Sequence, residues 1–362
     1  MSLAEVDTPA LLLDLDAFER NLRRLPESLP PGSVRVRPHA TTHKCLEIAR
    51  RQIAAGAVGV CCQKVSEAEA MVDGGIDDVL VSNEIVGAPK LARLAALAKR
   101  ARVGVCVDDT ANIRDLETAA ARADVHLAVL VEIDVGSNRC GVAPGTPALA
   151  LAQQIDACPH LRFAGLQAYY GSAQHLRSVA ERQAASTRAA DLARQTKSLI
   201  ETAGLPCPTI TGGGTGTCGF DVASGVYNEI QPGSYVFMDA DYARNECADG
   251  GPVWEQSLFG WSTLMSRSAA DWGAVDAGLK AVSSDSGPPL IRGHCEVEYR
   301  RAADEHGVLR FQNPANALAV GDKLMLVTGH CDPTVNLHEW FVGFRGQRVE
   351  ALWPITARGA FF

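Results

Sequence analysis

Chemistry-bearing residues in this sequence collect at the ends of apolar, β-rich runs. The first such run ends in RPHATTHKC (Arg37–Cys45), which packs two histidines, a lysine and an arginine into nine residues. Imidazoles exchange protons near neutral pH and a lysine amine can attack a carbonyl. The same stretch also reads as a polar strand cap before a helix, with Thr41 or Thr42 as N-cap. A second run ends in EIDVGSNRCG (Glu132–Gly141). Its glycines allow a tight turn, and Arg139 is either a fixed cation aimed at a ligand or a surface ion-pair partner. A third ends in LQAYYGSAQH (Leu166–His175), where His175 is a candidate general base or a plain surface histidine. A fourth leads into TGGGTGT (Thr211–Thr217). Successive glycines let backbone N–H groups converge on an anion beside a helix N-terminus, which makes a phosphate cup. No lysine follows, so this is not the loop of a P-loop nucleotidase. Near the C-terminus GHCDPTVNLH (Gly329–His338) sets His330 and Asp332 two residues apart, on one side of an extended segment. An imidazole and a hard carboxylate oxygen suit a divalent ion that keeps open water positions, or they form a hydrogen-bonded pair.

These residues need a scaffold, and the pattern supplies one. Short β-rich runs at Val34–His39, Gly59–Cys62, Asp78–Val81, Val103–Val107, His126–Ile133, Phe163–Tyr169 and Thr209–Thr211 alternate with amphipathic stretches. The latter include Cys45–Ala54, Val65–Val72, Pro89–Arg100 and Ala180–Ala203. Repeated strand–helix units with near-continuous apolar strands predict a parallel sheet covered by helices. Seven or eight units over this length favour a TIM-type (β/α)8 barrel over an open sheet, and such a barrel carries its chemistry at the C-terminal ends of its strands. Beyond residue 250 the helical period fades. Leu258–Ser266, Gly273–Val275, Glu296–Arg300, Leu309–Phe311, Lys323–Val327 and Phe341–Phe344 read as short strands of a smaller β-domain. Residues 14–248 are expected to form the barrel, and 1–13 with 249–362 the β-domain, Ala10–Leu15 pairing back into it.

Composition narrows the partners. The chain has 362 residues, 47% of them hydrophobic, and a formal charge of −8, which argues against nucleic-acid or anionic-membrane surfaces. Its eleven cysteines show no CxxC pair or regular framework, as expected for free thiols in a reducing cytoplasm. The N-terminal apolar stretch is broken by Asp14 and Asp16, so it reads neither as a secretory signal nor as a membrane span.

Several long segments, in order, carry a resemblance. They are DTPALLLDLDAFERN (Asp7–Asn21), RPHATTHKC, GVCCQKVSEAE (Gly59–Glu69), VSNEIVG (Val81–Gly87), DVGSNRCGV (Asp134–Val142), LQAYYGSAQH, TGGGTG, GVYNEIQPGSYVFMD (Gly225–Asp239), DAGLK (Asp276–Lys280) and HCDPTVNLH (His330–His338). Over nearly its whole length the chain resembles the D-threonine aldolase and D-serine dehydratase-like group of fold-type III pyridoxal-phosphate enzymes, which share the architecture of alanine racemases. The resemblance implies pyridoxal 5'-phosphate as cofactor, with Gly212, Gly213, Gly214 and Thr215 around its phosphate. It places Arg139 at the phenolate side of the ring, with Gln63 and Tyr169 lining the pocket. It makes His175 the base and His330 with Asp332 the ligands of a divalent metal. Asp332, where the dehydratase branch carries cysteine, favours Mn2+ or Mg2+ and the aldolase branch. The implied reaction is retro-aldol cleavage of a D-3-hydroxy amino acid, of D-threonine or 3-hydroxy-D-aspartate type, to glycine and an aldehyde, in a cytoplasmic homodimer. Dehydration of D-serine or D-threo-3-hydroxyaspartate is the alternative within the group.

One position departs. The group reads RPHxKxHK, and its first lysine forms the Schiff base with the cofactor; here that place is Thr41, while Lys44 matches the second lysine. A threonine hydroxyl cannot form an imine. Three arrangements fit: a point replacement in an otherwise working enzyme, Lys44 acting from within the following helix, or a catalytically silent relative that binds pyridoxal phosphate non-covalently. The rest of the site motif is intact, which favours the first.

Overall fold

The computed structural model describes residues 1–32, 34–315 and 317–362. The chain opens with β1 (Ala10–Asp14) and α1 (Leu15–Glu27). Asp14 starts that helix by accepting the Asp16 and Ala17 amides at 3.1 Å each. A strand–helix series follows: β2 (Arg35–Val36), α2 (Leu46–Ala54), β3 (Val60–Cys62), α3 (Val65–Asp73), β4 (Asp78–Glu84), α4 (Ala88–Leu97), β5 (Arg102–Val107) and α5 (Thr110–Ala123). It continues with β6 (Leu127–Glu132), α6 (Thr146–Asp156), β7 (Leu161–Gln167), α7 (Val179–Thr202), β8 (Thr209–Gly212), α8 (Cys218–Ala223) and β9 (Glu229–Ile230).

All pairings in this series are parallel, in the order β2-β9-β8-β7-β6-β5-β4-β3. The two ends meet. Val58 donates to Val36 O at 2.9 Å, Cys61 to Pro38 O at 2.8 Å and Ala40 to Cys61 O at 2.8 Å, which closes the ring just below the RPHATTHKC loop. The expected (β/α)8 barrel is therefore present. Its interior is a buried cluster of Cys61, Leu80, Cys106, Leu130 and Ala164. The layer between strands and helices is the largest core, with Val79, Val105, Val129 and Leu166 among its buried members. Strand side chains buried on both faces explain the near-continuous apolar runs.

The second domain contains β10 (Leu258–Ser266), β11 (Trp272–Val275), β12 (Leu290–Ile291), β13 (Val297–Ala302), β14 (Gly307–Phe311), β15 (Lys323–Val327), the short α9 (Cys331–Val335), β16 (Trp340–Arg345) and β17 (Arg348–Pro354). Its sheet runs β13-β14-β11-β10-β1-β16-β17, with β15 also on β10 and β12 on β15. As expected, β1 returns to it, antiparallel to β10 and parallel to β16. All eleven cysteines are free. Among the described residues no helix is long and apolar enough to cross a membrane.

Three local expectations are corrected. Neither Thr41 nor Thr42 caps a helix, because α2 begins only at Leu46 with Cys45 as its N-cap residue. Lys44 is not inside that helix; it sits ahead of it with φ 50°, a left-handed turn that swings the chain between strand and helix. The segment carrying His330 and Asp332 is not extended. His330 is the N-cap residue of α9, and Asp332 lies in that helix's first turn. Asp239 Oδ2 accepts the Cys331 amide at 3.0 Å, Thr334 Oγ1 donates to His330 O at 2.8 Å, and Pro333 fits a first turn without needing an N–H partner.

Candidate active site

The loop after β2 delivers its side chains to different places. Thr41 Oγ1 lies 2.9 Å from His39 Nδ1. His39 Nε2 lies 3.3 Å from the Gln63 amide nitrogen and 3.2 Å from Ser82 Oγ. The Gln63 nitrogen can only donate, so Nε2 is the accepting nitrogen and Nδ1–H donates to Thr41. Burial, reinforced by the Arg139 charge, lowers the His39 pKa to about 4, so the imidazole stays neutral and keeps this tautomer. Lys44 points elsewhere. Its Nζ lies 2.9 Å from Oε1 of Glu67, whose side chain is fully buried, and 3.5 Å from Ala360 O. Glu67 Oε2 also accepts the Gln63 amide at 2.8 Å. The one amine of this loop is thus committed to a buried ion pair beside α3.

The loop after β8 has the shape of an anion cradle. At Gly213 (φ 72°) a Cβ would stand 2.6 Å from Asp221 Oδ2, and at Gly214 it would stand 2.6 Å from Gln174 Oε1. A side chain at either position would close the loop against its neighbours. Gln174 braces the loop from below, accepting the Gly216 amide at 3.0 Å and donating to Thr217 Oγ1 at 2.8 Å. Asp221 accepts Thr217 Oγ1 at 2.6 Å and Ser186 Oγ at 2.5 Å. Thr215 Oγ1 is buried and has no hydrogen-bond partner. A buried hydroxyl left unsatisfied is costly, and an anion in the cradle would relieve it. The cradle opens on a cavity of about 660 Å³ lined in part by Thr215, Gly216, Met238, Tyr242 and Asn245. Thr41, Gln63, Arg139, Tyr169, His175, His330 and Asp332 do not line this cavity.

Arg139 is exposed and lies 5.6 Å from the centroid of the Tyr169 ring. Among the described residues it makes no ion pair, so its guanidinium is free to meet an anion. Burial pushes the Tyr169 phenol up to about 12, against the pull of Arg139, so it stays neutral. His175 Nδ1 lies 2.5 Å from Asp241 Oδ2, and its ring lies 5.3 Å from that of Tyr242. Burial works against the Asp241 charge, but hydrogen bonds from Arg177, His175 and Arg244 hold its carboxyl below the usual range. An ionised Asp241 fixes the proton of His175 on Nδ1 and leaves Nε2 as the accepting nitrogen.

Across the domain boundary, Thr42 Oγ1 donates to Asp332 Oδ2 at 3.2 Å, and the Cys331 thiol lies 3.2 Å from Asp332 Oδ1. His330 Nδ1 lies 2.8 Å from Asp285 Oδ2. Burial disfavours the His330 cation, yet Asp332, Asp285 and Asp239 together raise its pKa above the ordinary imidazole value. No group of three or more His, Cys, Asp or Glu suited to a metal occurs among the described residues. His330 and Asp332 could supply two ligands of mixed nitrogen and oxygen type, leaving the other positions to water or substrate oxygen.

Residues 13–241 match the alanine racemase N-terminal domain, and residues 257–344 match the putative serine dehydratase domain. The chain is 50% identical, over 357 residues, to D-threonine aldolase of Arthrobacter sp, a match covering 99% of this chain and 94% of that one. The chain belongs to the D-threonine aldolase family. It is also 46% identical over 365 residues to 3-hydroxy-D-aspartate aldolase of Paracoccus denitrificans (strain Pd 1222), covering 99% and 94% of the two chains. The crystal structure of D-threonine aldolase from Filomicrobium marinum superposes with a TM-score of 0.98 at 52% identity, covering 100% and 98%. Within the D-threonine aldolase family, a fold-type III pyridoxal-phosphate group, the residues here fit a non-covalently held cofactor: the cradle, the unpaired Arg139 and the orphaned Thr215 hydroxyl all suit an anionic ring with a phosphate. They do not fit a covalently held one, since Thr41 has no amine and Lys44 is spent on Glu67.

The structure sets the residues singled out in the sequence in separate contacts: Thr41 and Gln63 both meet His39, Arg139 lies over the Tyr169 ring, His175 pairs with Asp241, and Asp332 meets Thr42. Ser82, Gln174, Asp241, Tyr242 and Asp285 give no isolated signal, and His39 and Thr42 stand out only as members of RPHATTHKC, not as the partners of Thr41 and Asp332. Only MDADYARN (Met238–Asn245), with a second aspartate just after the matched segment that ends at Asp239, could have drawn attention to Asp241.

Proposed function

We propose that the chain carries the site of a metal-assisted aldolase for D-3-hydroxy amino acids whose covalent cofactor anchor is missing. The observation that supports this most is the pairing of an otherwise furnished pocket with Thr41 at the place of the amine. The substrate class is D-threonine or 3-hydroxy-D-aspartate, and the products are glycine and an aldehyde. When bound, pyridoxal phosphate would supply an electron sink for the pair left on Cα when the Cα–Cβ bond breaks, and a divalent cation would supply charge that favours an ionised 3-hydroxyl.

The chain's own residues would do the remainder. Thr215 Oγ1 and the amides of Gly213 and Gly214 would hold the phosphate, with Gly212 placing them at the strand end. Arg139 would hold the phenolate edge while Gln63 and Tyr169 wall the ring. His175 Nε2 would take the proton of the 3-hydroxyl, its tautomer fixed by Asp241. His330 and Asp332 would hold Mn2+ or Mg2+, so the barrel binds the cofactor and the β-domain contributes the metal. The reading includes a cytoplasmic homodimer acting on small molecules, with no nucleic-acid or membrane partner; the charge of −8 supports the latter.

The test is equilibrium binding of pyridoxal phosphate to the chain as it stands, followed by borohydride treatment, dialysis and peptide mass analysis. Saturable binding that dialyses away, with no labelled lysine, is expected. Absence of binding, or a label on Lys44, overturns the reading. Product analysis with D-threonine and 3-hydroxy-D-aspartate distinguishes the branches: ammonia and a 2-oxo acid in place of glycine and an aldehyde would assign the dehydratase reaction.

A further inference from the structure

Three carboxyls crown neighbouring barrel strands: Glu84 ends β4, Asp108 follows β5 and Glu132 ends β6. Asp108 has a donor of its own, the Gly141 amide at 3.0 Å from Oδ2. Glu84 does not. Both of its carboxylate oxygens are sealed from water, and neither meets a donor in good hydrogen-bond geometry. Its own amide, the Cys140 thiol and the Glu132 carboxyl are the groups that approach it. Glu132 is 4% exposed, and the buried interior thiol of Cys106 feels the charge of both glutamates. Arg139, on the loop directly after β6, faces Glu132 without forming an ion pair with it.

Two ionised carboxylates that approach one another out of water repel strongly, and Glu84 would lack a donor. A single proton between them resolves both problems. We propose that Glu84 and Glu132 share one proton at neutral pH, so that the pair presents one negative charge that positions the Arg139 guanidinium for an anionic ligand. The part concerning the ligand rests on the proposed reading of Arg139 as the partner of the cofactor ring oxygen.

The local electrostatics agree with the geometry. Burial first, and the Glu84 charge second, push the Glu132 carboxyl up to about 8, while Arg139 pulls it down and Asp108 adds a smaller push. Burial and Asp108 likewise raise Glu84. The groups facing the pair are therefore Asp108 and Cys106 from the β5 side and Arg139 and Cys140 from the β6 loop. Neutralising Arg139 with an anion removes the only cationic pull among these groups. The pair then holds its proton to higher pH, and a proton passes from solvent to a glutamate oxygen as the ligand binds. Uptake is greatest between the unliganded and liganded pKa values of the pair, from about pH 8 upward, and vanishes at low pH, where the proton is already in place.

Infrared difference spectroscopy of the unliganded protein tests the shared proton without any cofactor. At pH 7 a neutral carboxylic-acid carbonyl band is expected, absent from Glu132→Gln and titrating at lower pH in Glu84→Gln. No such band, or a band whose titration ignores Glu84→Gln, overturns the proposal. Glutamine keeps the shape and can donate to the remaining carboxylate, and circular dichroism checks that each variant is folded; if one is not, the other still decides. The second arm is calorimetry of pyridoxal phosphate binding at pH 8 in buffers of different ionisation enthalpy. The parent should take up a larger fraction of a proton than Glu132→Gln, and equal uptake overturns the link to Arg139. Loss of all pyridoxal phosphate binding would sink the functional reading instead, while the infrared result would still decide the shared proton.

Discussion

Replacing Lys44 by methionine removes the one amine of the Arg37–Cys45 loop and keeps its aliphatic stem. Glu67, whose side chain is fully buried, then loses its cation and keeps only the Gln63 amide at 2.8 Å. Breaking a buried ion pair on one side costs about 3–5 kcal/mol, because the partner stays buried and uncompensated. The Lys44 side chain is 11% exposed, so some water reaches the pair and we expect the lower end, about 3 kcal/mol at neutral pH. The penalty depends on pH with a definite sign. Burial already raises the Glu67 pKa, with Lys44 opposing it, and without Lys44 it rises further. A carboxyl whose folded pKa exceeds its unfolded value of about 4.3 stabilises below that value and loses the effect as pH rises through the folded pKa. The Lys44→Met penalty should therefore shrink from pH 7.5 to pH 5. Denaturant midpoints at both pH values read it, and the double variant Lys44→Met/Glu67→Leu should recover most of the loss. A Lys44→Met protein as stable as its parent at pH 7.5 would refute the ion pair. Unchanged stability together with lost pyridoxal phosphate binding would make Lys44 the cofactor residue instead.

Three further outcomes follow from the same geometry. Thr215→Val removes a hydroxyl that has no partner in the protein, so stability should hold, while loss of a hydrogen bond to a charged phosphate, about 1.5–3 kcal/mol, should weaken pyridoxal phosphate binding ~10- to 150-fold in a fluorescence titration. Asp332→Ala should abolish specific Mn2+ binding seen by electron paramagnetic resonance, and unchanged binding would remove Asp332 from the metal site. Asp241→Asn, combined with Thr41→Lys, should lower kcat with a smaller change in KM, since it frees the His175 tautomer without touching the cradle; unchanged kcat would discount His175 as the base.

The sequence made the scaffold legible because its signals are local. Apolar runs such as Val79–Val81 and the helical stripe of α2 announce a parallel barrel, and the turn-rich strands after residue 250 announce the β-domain. The two-residue β9 escaped because so short a strand has no period to read. The conformation around His330 was misread because spacing alone cannot distinguish an extended segment from a helix start; the Asp239–Cys331 bond that decides it spans 92 residues. Long-range partners were invisible for the same reason. Asp241 supports His175 from 66 positions away, and Thr42 reaches Asp332 from 290 positions away. The fate of Lys44 was illegible as well, since only the folded chain brings Glu67 beneath its amine.

The central claim is that this is an aldolase site lacking only its covalent anchor, and Thr41→Lys tests it most directly. With pyridoxal phosphate and Mn2+ added, the variant should absorb in the visible, be labelled at position 41 after borohydride reduction, and cleave D-threonine or 3-hydroxy-D-aspartate to glycine and an aldehyde well above the parent. A folded variant that binds pyridoxal phosphate yet takes no label at position 41 and releases no glycine would contradict the account.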